Sequence, residues 1–156
     1  EKNADVVKLA SYAPLFNRIG HSQWKPDMIW FDDREVYLTP NYYVQKLFAN
    51  HRGSHTVLLH DQDVELRKKG IYVSVSMDED ENIIVKTVNT THQNFELSLE
   101  DADGAAVSAS GKQWTLQGTG EIPEGLPEKS VVAEQKIQIK GSVTLPGQSV
   151  VVVTYR

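Results

Sequence analysis

The chain has 156 residues, 40% of them hydrophobic, which suffices for one domain with a real core. Its 21 acidic and 16 basic residues give a net charge of −5 and argue against a nucleic-acid binder. The absence of cysteine excludes disulfides, thiol catalysis and cysteine-based zinc sites, and no apolar run is long enough for a membrane-spanning helix.

The chain opens on a segment with helical periodicity. Val6, Leu9, Ala10 and Ala13 recur at i, i+3, i+4 and i+7, and Asp5 can cap the start, so a helix is expected within Ala4 to Phe16. Met28-Ile29-Trp30-Phe31 is a short apolar run without alternation, as in a strand covered on both faces. Thr39-Pro40 places a hydroxyl N-cap before a proline at the first helical position. Tyr43, Val44, Leu47 and Phe48 supply the apolar face of that helix, and Gly53 is placed to end it. Helix, strand, helix is the unit of an α/β protein, yet one strand makes no sheet. The strand is expected to pair with the sandwich, pair with another copy, or lose its order.

From Ser54 the period changes to two. Strands are expected at Thr56 to His60, Ile71 to Met77, Ile83 to Val88, Phe95 to Leu99 and Ala106 to Ser110. More follow at Gln113 to Gln117, Ser130 to Lys140, Ser142 to Leu145 and Gln148 to Tyr155. Asp78 to Asn82 and Asp101 to Gly104 read as turns. Gly118 to Glu128 reads as a loop, and Arg67-Lys68-Lys69 as a solvated turn. With helices absent from this part, the pattern indicates an antiparallel β-sandwich or jelly roll. The expected division is 1–53 and 54–156, and the fold class is mainly β.

The blocks NADVVKLASYAPLF, QWKPDMIWFD and YLTPNYYVQKLFANHRG, in this order, resemble the C-terminal part of glycoside hydrolase family 51, the α-L-arabinofuranosidases. The resemblance is dense over Asn3 to Gly53 and rests on layout beyond it. It implies the last unit of a (β/α)8 barrel followed by a C-terminal β-sandwich. It also implies a parent that releases terminal arabinofuranose from arabinan, arabinoxylan or oligosaccharides, without metal or cofactor, and that is a homo-oligomer. Two glutamates would do the chemistry, and no glutamate here matches either position. Glu1 in place of Met fits a fragment, and the expectation is a chain inactive by itself. Its compartment stays open, with a secreted or periplasmic parent or a cytoplasmic one.

Barrel active sites lie at the C-terminal ends of the strands. That makes Asp32, Tyr37 and Thr39 the candidates for the pocket rim, Asp32 as a hydroxyl acceptor and Tyr37 as a stacking or donating group. Other motifs carry plainer readings. Asp78-x-Asp80-x-Asn82 begins like a calcium loop but has Ile83 and Asn89 where the pattern needs Gly and Glu. His21, His51, His55, His60 and His92 lack metal-site spacing. Asn89-Thr90-Thr91 is a glycosylation sequon. Trp24 is read as structural packing. Trp114 alternates with Leu116 and is read as core, the alternative being a sugar-stacking ring of a freestanding carbohydrate-binding module.

Overall fold

A computed structural model describes residues 2–24, 27–59, 62–121 and 123–156. The opening segment holds β1 (Phe16–Arg18), β2 (Ile29–Phe31), β3 (Val36–Leu38) and α1 (Pro40–Asn50). Then come β4 (His55–Val57), α2 (Gln62–Lys68), β5 (Ile71–Met77), β6 (Ile83–Asn89) and β7 (Phe95–Ser98). The chain ends with β8 (Ser108–Gly118), β9 (Ser130–Lys140), β10 (Ser142–Leu145) and β11 (Ser149–Tyr155). The fold is mainly β, and its main body is an antiparallel sandwich.

The largest sheet has six strands in the order β4-β5-β6-β11-β8-β9, all antiparallel. β7 and β10 form a second, two-stranded sheet. Alternation along β5, β6 and β11 sends Val73, Val85, Val151 and Val153 to one face, where they meet Leu97 of β7 and Leu145 of β10. The opposite face carries Ile84, Leu116 and Val152, and Leu47 of α1 packs there with Tyr43, Val44 and Phe48 beside it. β11 therefore reads as an unbroken apolar run because both of its faces are covered. Lys86 of β6, 1% exposed, points to the α1 face and lies 4.9 Å over the Phe48 ring.

The helix expected within Ala4 to Phe16 does not form. One turn at the start, in which the Val6 and Val7 N–H groups donate to the Asn3 carbonyl, gives way to extended chain and then β1. Among the described residues its apolar stripe has nothing to pack on: Val6 is 76% and Leu9 89% exposed. A short helix without tertiary burial is marginal. β2 finds its partners inside the opening segment, parallel to β1 and antiparallel to β3. That local three-stranded sheet was hidden in sequence because β1 and β3 have three residues each.

α1 starts as expected. The Thr39 hydroxyl accepts from the Tyr42 N–H at 3.3 Å and donates to the Met28 carbonyl at 2.7 Å, with Pro40 next. It ends at His51 instead of at Gly53, the His51 N–H returning to Leu47. Gly53 serves another purpose: any Cβ there would overlap the Ser76 side chain of β5. Gly111 likewise lets β8 pass close to the Thr154 carbonyl, so the two strands expected on either side of it are one continuous strand. α2 is a helix in a region expected to be helix-free, and it absorbs Arg67 and Lys68. Its acids at the start and bases at the end suit the helix dipole, with Arg67 on Asp63 at 3.0 Å and Lys68 on Glu65 at 2.6 Å. Gly70 at φ +76 closes it. Of the first sandwich strand, only His55–Val57 forms, and His60 lies outside the described residues.

Two polar side chains fix the loops. The buried Asn89 amide donates toward Gln93, Leu145 and Pro146 carbonyls at 2.9 to 3.1 Å, while its oxygen accepts from Thr91 N–H and hydroxyl. A side chain so committed offers no nitrogen to a glycan. Asp78 clasps the β5–β6 turn through the Asn82 side chain, the Asn82 N–H and the Asp80 N–H. These bonds, the Asn82 side chain first, hold its carboxyl below the usual aspartate range.

Asn89→Ala is expected to cost about 2–4 kcal/mol in chemical denaturation, because several buried carbonyls lose their donor together. A change under half a kcal/mol would contradict that role. Asp78 has a depressed folded-state pKa, so its contribution is present above the unfolded pKa and lost as pH falls through the folded one. Carboxyl-detected NMR titration is expected to place Asp78 below the usual aspartate range. The Asp78→Asn variant is expected to flatten the stability loss below about pH 4.

Candidate functional site

The polar groups at the C-terminal ends of β1 and β2 form the candidate site. β1 and β2 run parallel with Phe16 opposite Ile29 and Arg18 opposite Phe31, so their ends lie side by side. The Ile19 N–H donates to the Phe31 carbonyl and continues that pairing. Beyond β2 the chain turns within Asp32 to Glu35. Asp32 Oδ1 accepts from the Arg34 and Glu35 N–H groups, both at 2.8 Å, and the Asp32 N–H donates to the Glu35 carbonyl at 3.1 Å. The turn is therefore built by its own first carboxylate.

The electrostatics follow from those bonds. The Arg34 N–H and then the Glu35 N–H hold the Asp32 carboxyl below its usual range, so it is an anion at neutral pH. An exposed anion of this kind accepts hydrogen bonds and is unsuited to donate a proton. The Glu35 carboxylate beside the Tyr37 hydroxyl raises the phenol above its usual range. Asp33 pairs with Arg18 at 2.7 Å and ties the end of β1 to the turn.

Asp32 and Tyr37 are brought to one end of the sheet, bridged by Glu35. Thr39 is not. β3 runs back along β2, with Val36 opposite Phe31 and Leu38 opposite Ile29. Thr39 thus stands beside Met28, at the other end, where its hydroxyl is occupied in capping α1. The expectation of a single loop from Asp32 to Thr39 missed the intervening strand. Trp24, expected to pack, is 68% exposed.

Sequence reading also missed Asn17 and Arg18, because β1 lay inside a segment read as helix and loop. Asn17 is buried opposite Trp30. Its carbonyl oxygen accepts from the Ser22 hydroxyl at 2.6 Å, while its amide nitrogen has no partner among the described residues. Trp30 donates its indole N–H to the Asp27 carbonyl at 3.0 Å. Among the described residues no cluster of histidine, aspartate and glutamate is arranged to hold a metal ion.

Two other features bear on sugar binding. Trp114 lies on the α1 face with Leu116, and the His51 ring covers it at 4.1 Å between centroids. A polar groove of about 460 Å³ lies between the ends of β8 and β9 and the β10–β11 turn, lined by Gln117, Thr119, Glu128 and Gln148 among others. Among the described residues none that lines it is aromatic.

Comparison with known proteins points one way. The family model of the α-L-arabinofuranosidase C-terminal domain matches residues 1–149. α-L-Arabinofuranosidase 1 of Arabidopsis thaliana is 32% identical over 160 aligned positions, which cover 96% of this chain and 23% of that protein. The extracellular exo-α-L-arabinofuranosidase of Streptomyces chartreusis is 54% identical over 57 residues, 36% of this chain and 7% of that one. Among solved structures, the arabinose-bound MgGH51 α-L-arabinofuranosidase superposes with a TM-score of 0.78 at 25% identity, covering 99% of this chain and 25% of that chain. The chain thus spans about a quarter of the plant relative and of this solved structure. It belongs to the α-L-arabinofuranosidase C-terminal domain family, and its relatives are enzymes of glycoside hydrolase family 51.

Proposed function

We propose that this chain is the C-terminal structural portion of a retaining, exo-acting α-L-arabinofuranosidase. The observation that carries this reading is the match across residues 1–149, with the chain spanning about a quarter of the plant relative's length. The opening segment adds support through its parallel β1–β2 pair and α1, with a loop in place of a helix between the two strands and the antiparallel β3 ahead of α1. In this reading residues 1–53 close the barrel and 54–156 form the sandwich that buttresses it. Leu47, Val44 and Phe48 of α1 are the contact through which the sandwich would hold the barrel's last helix.

The catalytic pair would come from chain outside these residues. A retaining glycosidase needs two carboxyl groups about 5 Å apart, one as nucleophile and one as acid and then base. The parent would use them to release terminal arabinofuranose from arabinan, arabinoxylan or oligosaccharides. The part of this chain would be passive at the rim: Asp32, as an exposed anion, is suited to accept a sugar hydroxyl, with Tyr37 beside it. Thr39 would contribute through the helix start alone.

A freestanding carbohydrate-binding module has less support. Trp114, the ring best placed on the sandwich for that role, is covered by His51. The polar groove lacks a stacking surface.

The chain at 17.5 kDa is expected to leave 4-nitrophenyl α-L-arabinofuranoside unhydrolysed. Turnover at that mass would place the catalytic pair within these residues and overturn the proposal. In the full-length parent, Asp32→Asn is expected to raise KM several-fold with a smaller change in kcat. A collapse of kcat alone would assign Asp32 to the chemistry instead.

A further inference from the structure

The six-stranded sheet has two unlike edges. β4 has three residues, whereas β9 has eleven and pairs only with β8 among the described strands. A long unpaired edge is a template for another strand unless its side chains forbid it. The side chains of β9 select one partner.

We propose that β9 is an interface at which two copies of this chain pair antiparallel about a two-fold axis through Gln135. In that register Glu134 stands opposite Lys136 of the other copy, twice. Ala133 stands opposite Ile137, and Val131, 56% exposed, stands at the rung of Ile139, whose side chain is already buried in the core. Opposite charges meet on one face and apolar side chains on the other. Sliding the copies by two residues either way sets Glu134 against Glu134 or Lys136 against Lys136. The strand is thus self-complementary in one register and repulsive in its neighbours. The two-fold axis stands perpendicular to the sheet, so each face of one copy continues into the same face of the other.

The charge on Lys136 has no favourable use within one copy at its own rung. There it faces Lys112 of β8, a like charge, while Glu134 is already paired with Lys112 at 3.2 Å. Across the edge Lys136 meets Glu134 instead. Hydrogen bonds from Lys112 first, and from Trp114, keep Glu134 ionised to lower pH than usual, consistent with an ion-pairing role.

Sedimentation equilibrium of the 156-residue chain is expected to show a concentration-dependent dimer of about 35 kDa, twice 17.5 kDa. Glu134→Lys and Lys136→Glu are each expected to weaken it at least tenfold. The double variant, which swaps the charges, is expected to restore it. Lys136→Glu removes the like-charge pair with Lys112, so weaker association there cannot be ascribed to a less stable fold. The chain has no cysteine, so Gln135→Cys introduces a single thiol. At the axis the two Cα atoms would lie about 4.5–5.5 Å apart, and the thiols are expected to oxidise to a covalent dimer. Lys140→Cys places its thiols roughly 33 Å apart and is expected to stay monomeric under oxidation. A wild-type chain that stays at 17.5 kDa at every concentration would overturn the proposal. So would association indifferent to the charge changes, or equal cross-linking at both cysteine positions.

Discussion

The central constraint in this molecule is that β11 is buried on both faces. Val151 and Val153 face Leu97, Val143 and Leu145 across the sandwich, while Val152, on the same face as Ile84, meets Leu47 on the other side. A strand in that position needs a cover on each face, and the two covers come from distant parts of the sequence. β7 and β10 supply one, and α1, about a hundred residues earlier, supplies the other. The helix is therefore part of the sandwich core as well as the sequel to β3. Each buried valine contributes roughly 1.5–3 kcal/mol of burial, so this strand ties together elements that local contacts alone would leave apart.

The polar residues around that core have mostly local tasks. Thr39 holds the start of α1 against Met28, and His51 ends it and lies over Trp114. Asn89 holds the loop after β6 to the loop before β11, and Asp78 shapes the β5–β6 turn. Asp32 builds the turn after β2 in the same way. At Asp32 alone the carboxylate stands at the C-terminal end of a parallel strand pair, which is where an α/β barrel presents its groups to a ligand. Chemistry of this kind is acceptance of hydrogen bonds.

Much of the sandwich was legible in the sequence because its signal is period two, and Ile71 to Met77 and Ser130 to Lys140 carry it over whole strands. The hairpin between β5 and β6 was legible from its five polar residues, and α1 from Thr39-Pro40. Features set by tertiary context were not legible. The stripe Val6, Leu9, Ala10 and Ala13 has a helical period but no surface to cover. Gly53 and Gly111 look like stops and are close-approach positions. α2 is seven residues long, too short for its period to stand out, although its charge order was there to be read. At the candidate site, Asp32 and Tyr37 were proposed from their place after an apolar strand. Thr39 was set beside them only because a three-residue strand was missed, and Asn17 and Arg18 were missed for the same reason.

The most direct test is native-state amide hydrogen exchange. If β11 joins α1 to the sandwich in one cooperative core, amides in the second half of α1 should exchange only with opening of the sheet, with protection close to that of Val151 and Val152. The apolar segment from Val6 to Leu9 should exchange freely in the same experiment. Fast exchange throughout α1 beside a protected β11 would contradict the account, because the second face of the sheet would then lack its cover.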